Sequence, residues 1–180
     1  MSTVPLTVGD LQAAIRNVPD FPKLGIQFKD ITPMLADARL FAGSIDLLTA
    51  GLEPGSVDSV VGIDARGFIF AAAAAVKLRA GFVPVRKQGK LPYQTIEQTY
   101  DLEYGTSTVA IHVDALKPGA RVLLMDDLLA TGGTAAATAQ LVREAGAVVA
   151  GFLFLVELEF LPGRAALAPL GPVFSLVKYD

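Results

Sequence analysis

The stretch from Arg121 to Thr134, RVLLMDDLLATGGT, constrains the fold more than any other. Val122, Leu123, Leu124 and Met125 form a short unbroken apolar run, the pattern of a strand buried on both faces of a parallel sheet. Two adjacent carboxylates follow, Asp126 and Asp127. Ala130, Thr131, Gly132, Gly133 and Thr134 then open an alanine-rich segment with helical character. A strand, a tight Gly/Thr turn and a helix start make an anion cradle, because a helix N-terminus presents unpaired N–H groups and a positive dipole end. Carboxylates repel phosphate, so Asp126 and Asp127 must face something else, such as sugar hydroxyls or a hydrated metal ion. A ribose 5-phosphate satisfies both halves of the stretch.

Composition narrows the setting. With 180 residues, 52% of them hydrophobic, the chain reads as one globular domain with a sizeable core. A net charge of -3 gives no reason to expect nucleic-acid binding. There are no cysteines, which excludes a disulfide framework and thiolate metal sites and is compatible with a reducing cytosol. The longest apolar runs, Phe68 to Val76 and Ala147 to Val156, are shorter than the roughly 18 residues a membrane span needs. The opening MSTVPLTVGD does not read as a signal peptide.

Along the sequence, Leu11, Ala14, Ile15 and Val18 predict an amphipathic helix over residues 7–18, with Thr7 and Asp10 resembling a capping box. The prolines and glycine of Phe21 to Pro33, FPKLGIQFKDITP, argue for an irregular segment tucked onto the core. A second helix is expected from Asp37 to Leu52. A strand from Val57 to Ile63 runs into the turn Asp64-Ala65-Arg66-Gly67 and a helix from about Phe68 to Arg79. Open α/β sheets bind ligands at the carboxyl ends of their strands, which would bring Arg66 near the cradle; alone it could equally be a solvated turn arginine. Phe82 to Val85 is a further strand, and the cations Arg86, Lys87 and Lys90 follow it. Such a run usually means a solvated face. Thr99 to Val113 predicts an antiparallel hairpin turning near Gly105, with Glu103 at its crest. Thr134 to Ala145 is helical, Ala147 to Val156 is a buried strand ending in Glu157-Leu158-Glu159, Pro162-Gly163-Arg164 begins a short turn or helix, and Phe174 to Val177 is a last strand.

The motifs FPKLGIQFKDITP, ARGF, RKQGKLP, LEYG and DDLLATGGT, in that order, resemble the type I phosphoribosyltransferases, and most of all their adenine-specific members. The resemblance covers almost the whole sequence from about Asp20 onward. It implies a single α/β domain with a mainly parallel sheet flanked by helices. An N-terminal helix and hood would occupy about residues 1–35, and an inserted flexible hairpin loop about residues 87–108. It also implies a reaction, adenine plus phosphoribosyl pyrophosphate (PRPP) giving AMP and pyrophosphate, assisted by Mg2+ through an oxocarbenium-like transition state. Under it, Ala130 to Thr134 hold the 5-phosphate, and Asp126 and Asp127 face the ribose hydroxyls or metal-bound waters. Ala65, Arg66, Arg86, Lys87 and Lys90 meet pyrophosphate, with Arg86 reaching across a subunit interface in some members. Phe28 stacks on the purine, Leu158 flanks its other face, and Gln27 and Lys29 read its edge through their backbones. Glu103 is the proposed proton donor. The metal would be held through PRPP and waters, with no direct protein ligand. The 65–66 turn in this family often carries an unusual non-proline peptide. The expected assembly is a cytoplasmic homodimer, with neither nucleic acid nor membrane as partner.

Backbone recognition has a physical basis. Adenine offers a 6-amino donor beside an N1 acceptor, which a backbone C=O and N–H match; a 6-oxopurine reverses the pattern and leaves buried groups unpaired. Hypoxanthine-guanine enzymes carry an aspartate where this sequence has Ala130, which argues against a 6-oxopurine substrate. Two readings compete: a phosphoribosyltransferase for another base, and a non-catalytic PRPP-sensing regulator. The regulator reading suffers because the sequence has no basic face.

Overall fold

The computed structural model describes residues 5–101 and 105–180. Two compact units divide the protein, one up to Leu47 and one from Leu48 to Asp180.

The first unit begins with helix α1 (Val8–Ala14). Its cap is the expected one: Asp10 N–H donates to Thr7 Oγ1 at 3.2 Å, and Thr7 N–H donates back to Asp10 Oδ2 at 2.8 Å. The helix is shorter than the periodicity predicts. Ile15 turns extended, and Arg16–Pro19 form strand β1, which pairs antiparallel with β2 (Gln27–Asp30). Val18 thus sits opposite Phe28 instead of on a helix face. The segment expected to be irregular therefore contains one arm of a two-stranded ribbon. Pro22 and Gly25 lie in the connecting turn, where the Phe21–Pro22 bond is cis and Asp20 Oδ1 accepts the Gly25 N–H at 2.7 Å, while Pro33 falls in the first turn of the helix that follows. A short helix α2 (Thr32–Ala36), not anticipated from the pattern, precedes α3 (Ala38–Leu48). Asp37 accepts the N–H groups of Arg39 and Leu40 at 2.9 and 3.0 Å and so caps α3 as expected.

The second unit is a seven-stranded sheet. Its elements are β3 (Ser59–Ile63), α4 (Gly67–Leu78), β4 (Gly81–Lys87), β5 (Thr95–Asp101), β6 (Thr106–His112), β7 (Arg121–Leu129), α5 (Gly133–Glu144), β8 (Val148–Leu158), α6 (Gly163–Leu167) and β9 (Val173–Tyr179). The strand order is β5-β6-β4-β3-β7-β8-β9. From β4 to β9 the neighbours run parallel, whereas β6 is antiparallel to both β4 and β5, so the hairpin forms one edge. A mainly parallel sheet with an antiparallel hairpin at one edge is the architecture that the sequence resemblance implies.

Strand alternation divides the core between two faces. Val61, Ile63, Val122 and Leu124 join residues of α5 in one buried cluster. Gly62 points to the other face, where an added Cβ would come within 2.8 Å of Ala71 on α4. The run Val122 to Met125 is at most 4% exposed. Burial of each such residue contributes about 2 kcal/mol, which anchors β7 at the centre of the sheet. Strand β7 also runs four residues beyond that apolar run, with Asp126 opposite Phe154 and Leu129 opposite Glu157 on β8. The two aspartates are therefore held on a paired strand and not on a loop.

At the opposite end of the sheet, Arg121 clamps the start of β7 to the start of β3. Its backbone N–H donates to Asp58 Oδ2 at 2.7 Å, and its guanidinium reaches Asp58 Oδ1 at 3.0 Å and the Gly55 carbonyl at 2.9 Å. These donors lower the Asp58 pKa to about 2. A depressed carboxyl stabilises the fold above its unfolded value of 3.8 and loses that contribution as pH falls through about 2. Asp58→Asn is accordingly expected to lower the melting temperature at neutral pH. In acid titrations followed by circular dichroism, the gap from wild type closes as pH falls toward 2.

Candidate functional site

Sequence order and sheet order place the site. The strand after β3 is β4 on one side, while β7 lies on the other, so a crevice opens at the carboxyl ends of β3 and β7. The turn 64–66 leaves β3 there, and Asp126 and Asp127 stand at the end of β7. A cleft of about 390 Å3 is lined by Asp64, Ala65, Arg66, Asp126, Asp127 and Thr134, with Ile63 and Leu128 completing it.

Beside it lies the cradle. Ala130 to Thr134, with Asp126 and Phe154, line a small cavity of about 80 Å3. Gly132 is the N-cap of α5 at φ 82°, and the helix has no hydrogen-bonded cap from a side chain. The first N–H groups of α5 therefore face the cavity without a side-chain acceptor, as anion binding requires. Gly132 is constrained twice, because a Cβ there would also stand 2.9 Å from the Gly163 carbonyl oxygen. That close approach seats the turn on α6. Arg164, at the start of α6, holds the buried Glu157 carboxylate through Nε at 2.8 Å and Nη2 at 2.5 Å, and donates to the Val173 carbonyl at 2.9 Å. The cradle thus rests on a fixed brace joining α6, β8 and β9.

The charges are arranged in pairs. Arg66 Nε donates to Asp127 Oδ2 at 2.5 Å, and Arg86 Nε lies 3.4 Å from Asp64 Oδ2 while its Nη1 donates to the Lys90 carbonyl at 2.9 Å. Asp127 is buried, and Asp127 N–H donates to Asp126 Oδ1 at 2.8 Å. Burial, reinforced by the Asp127 charge, raises the Asp126 pKa well above the usual carboxylate range, with Arg66 opposing. Gly67 lets α4 approach this strand: a Cβ there would meet Asp126 Oδ1 at 2.6 Å. The Asp64–Ala65 bond is a non-proline cis peptide, at the turn where the resemblance implies an unusual peptide.

A third cleft, about 220 Å3, is lined by Asp64, Lys87, Tyr100, Ser107, Val109 and Thr134, together with Ile63. The second unit therefore assembles Ala65, Arg66, Lys87, Asp126, Asp127 and the 130–134 turn around adjoining clefts. Arg86 joins through Asp64, and Lys90 contributes its carbonyl to Arg86. Leu158 ends β8, opposite Tyr179. Glu103 lies outside the described residues. In the first unit, Gln27, Phe28 and Lys29 are consecutive on β2, and the rings of Phe28 and Phe21 meet edge to face at 5.1 Å. Three contributors escaped the sequence reading. Asp64 carried a signal, a carboxylate at a strand end beside Arg66. Tyr100 carried only the alternation of Ile96, Gln98 and Tyr100, and the Glu157–Arg164 brace only its proximity in the sequence.

Residues 27–161 match the phosphoribosyl transferase domain family. The chain belongs to the type I phosphoribosyltransferases, among the adenine phosphoribosyltransferases. The adenine phosphoribosyltransferase of Acidothermus cellulolyticus is 55% identical over 175 residues, 97% of this chain and 98% of that protein. The Syntrophotalea carbinolica enzyme of the same name is 58% identical over 170 residues, covering 94% and 99%. Among solved structures, adenine phosphoribosyltransferase from Rhodothermus marinus superposes with a TM-score of 0.91 at 51% identity, covering 96% of this chain and 98% of that one. The Saccharomyces cerevisiae enzyme, solved with adenine and an imino-altritol bisphosphate, gives 0.89 at 40% identity, covering 94% and 97%. This phosphoribosyltransferase is thus an enzyme of the transferase class.

The Asp126 carboxyl yields a stability test. A raised folded pKa means the folded state keeps a proton that the unfolded state releases, so ionisation costs stability as pH rises above 3.8. Asp126→Asn keeps the oxygen that accepts from Asp127 N–H and removes the ionisable carboxyl. The variant is expected to melt above wild type at neutral pH, with the advantage shrinking as pH falls toward 4 in scanning calorimetry. A lower melting temperature at pH 7 contradicts this.

Proposed function

We propose that the enzyme transfers the 5-phosphoribosyl group of PRPP to adenine, giving AMP and pyrophosphate in purine salvage. The observation that carries this is the uncapped α5 N-terminus beside two strand-held carboxylates and Arg66, all in one crevice. Ala130 to Thr134 hold the 5-phosphate, and Asp126 and Asp127 meet the ribose hydroxyls or Mg2+-bound waters. Arg66, Arg86, Lys87 and Lys90 face the pyrophosphate with the Ala65 backbone.

In the reaction the C1–O bond breaks with its electron pair going to pyrophosphate, and the purine N9 lone pair forms the new C1–N bond. Positive charge develops on the ribose, as in glycoside hydrolysis. The cationic side chains stabilise the leaving group, so catalysis is mostly positioning and electrostatics. The N9 proton leaves as that bond forms, and Glu103 is the proposed group exchanging protons with the purine.

The donor set fits Mg2+. Among the described residues no three carboxylate or histidine groups converge as a metal site, and the cleft presents the adjacent pair Asp126 and Asp127. Mg2+ keeps several waters and takes substrate phosphates, which suits such a site. Bound there, it would neutralise charge developing on pyrophosphate.

For adenine, Phe28 stacks on the ring and Leu158 flanks it. The ends of the Gln27 and Lys29 side chains are engaged with Asn17, at 2.7 and 3.1 Å. Pro19, opposite Gln27, has no N–H to donate. Both features favour backbone reading of the base at these positions. The Ala130 position and the relatives' names support adenine over a 6-oxopurine. No described helix is long and apolar enough to cross a membrane; the proposed setting is the cytoplasm, as a homodimer.

A pyrophosphate-release assay tests the reading. Adenine is expected to exceed hypoxanthine and guanine by on the order of 10^4 in kcat/KM, the discrimination of a site built to hydrogen-bond its substrate. PRPP binding without turnover would favour the regulator, and activity on another base alone would favour a different transferase. Phe28→Ala should raise the adenine KM about tenfold or more, the scale of base–aromatic stacking, with little change for PRPP. Equal effects on both would count against stacking.

A further inference from the structure

Tyr100 lies on the half-buried face of β5, and its ring rests against the start of α5: a Cβ on Gly133 would stand 3.4 Å from the ring Cδ2. The Tyr100 hydroxyl and Thr134 Oγ1 are 2.9 Å apart. Thr134 is the one described residue that lines all three adjoining clefts, those of the cradle, of the paired carboxylates, and of Asp64 and Lys87. The Thr134 carbonyl is already engaged by Thr138 Oγ1 at 2.8 Å.

A threonine hydroxyl has a single proton and two acceptor lone pairs. If Thr134 donates to Tyr100, the cradle loses a donor and gains a lone pair that repels an anion. If Tyr100 donates, the only Thr134 proton is free to point at the cradle. A phenol is more acidic than an aliphatic alcohol and is the better donor of the two. An anionic oxygen accepting from Thr134 makes its oxygen a stronger acceptor, so the two bonds reinforce each other.

We propose that Tyr100 is a positioning residue whose hydroxyl donates to Thr134 Oγ1 and so turns the Thr134 proton into the cradle to meet a phosphate oxygen. This rests on the assignment of the cradle to the 5-phosphate of PRPP. A consequence is that phosphate binding at α5 tightens its hold on β5, linking the cradle to the hairpin edge of the sheet.

A double-mutant cycle tests the proposal. Tyr100→Phe keeps the ring and removes the donor. Its PRPP KM, and its Kd for ribose 5-phosphate by calorimetry, are expected to rise about three- to tenfold, the scale of one hydrogen bond, with the adenine KM unchanged. In a Thr134→Val background, Tyr100→Phe should have no further effect, whereas in Thr134→Ser the coupling persists. An equal Tyr100→Phe penalty in the wild-type and Thr134→Val backgrounds overturns the proposal, as does a parallel rise in both substrate KM values. Ribose 5-phosphate binding needs no turnover, so coupling seen in a protein that makes no AMP would sink the proposed reaction while leaving the Tyr100 role intact.

Discussion

Two carboxylates on consecutive residues of a central strand, set against a helix N-terminus built for anions, are the tension around which the second unit is arranged. Neither carboxylate is free to move away, because β7 stays paired with β8 through Leu129. The compensation comes from the neighbouring turn, where Arg66 pairs with Asp127, and from protonation of Asp126, which burial and the Asp127 charge favour. Opposite charges are thereby fixed side by side in one crevice, and a ligand with both a phosphate and hydroxyls matches them. Of the two, Asp126 borders the cradle, and its raised pKa favours the uncharged form, which does not repel phosphate.

Support for this arrangement is distributed away from the chemistry. Arg121 and Asp58 fix the starts of β3 and β7, which sets where their carboxyl ends lie. Arg164 and Glu157 fix α6, on which Gly132 sits without room for a side chain. Tyr100 brings the edge hairpin to the first turn of α5. The cradle is therefore held from two sides, by α6 and by β5, while its N–H groups stay unengaged by any capping residue.

The central motif was legible because its signals agree at every level: an apolar run, charged strand end, glycine turn and alanine helix. The sheet's parallel core and the edge hairpin followed from similar agreement. What escaped was long-range. Val18 continues the helical spacing of Leu11 and Ile15, yet pairing with Phe28 takes it into a strand. The apolar run ends before Asp126, so nothing local shows that β7 continues; its partner β8 does that. Tyr100 meets Thr134 across 34 residues, a contact that only the sheet register creates. Glu103 lies outside the described residues, and its role stands on the motif resemblance alone.

On the proposed reading, one ligand spans the cradle and the carboxylate pair. The most direct measurement is calorimetric comparison of ribose 5-phosphate with 2-deoxyribose 5-phosphate, in wild type and in Asp127→Asn. Wild type is expected to bind the ribose form more tightly, and the variant to lose most of that preference while phosphate-dependent binding remains. Equal affinity for the two sugars in wild type, or a preference untouched by Asp127→Asn, would contradict it.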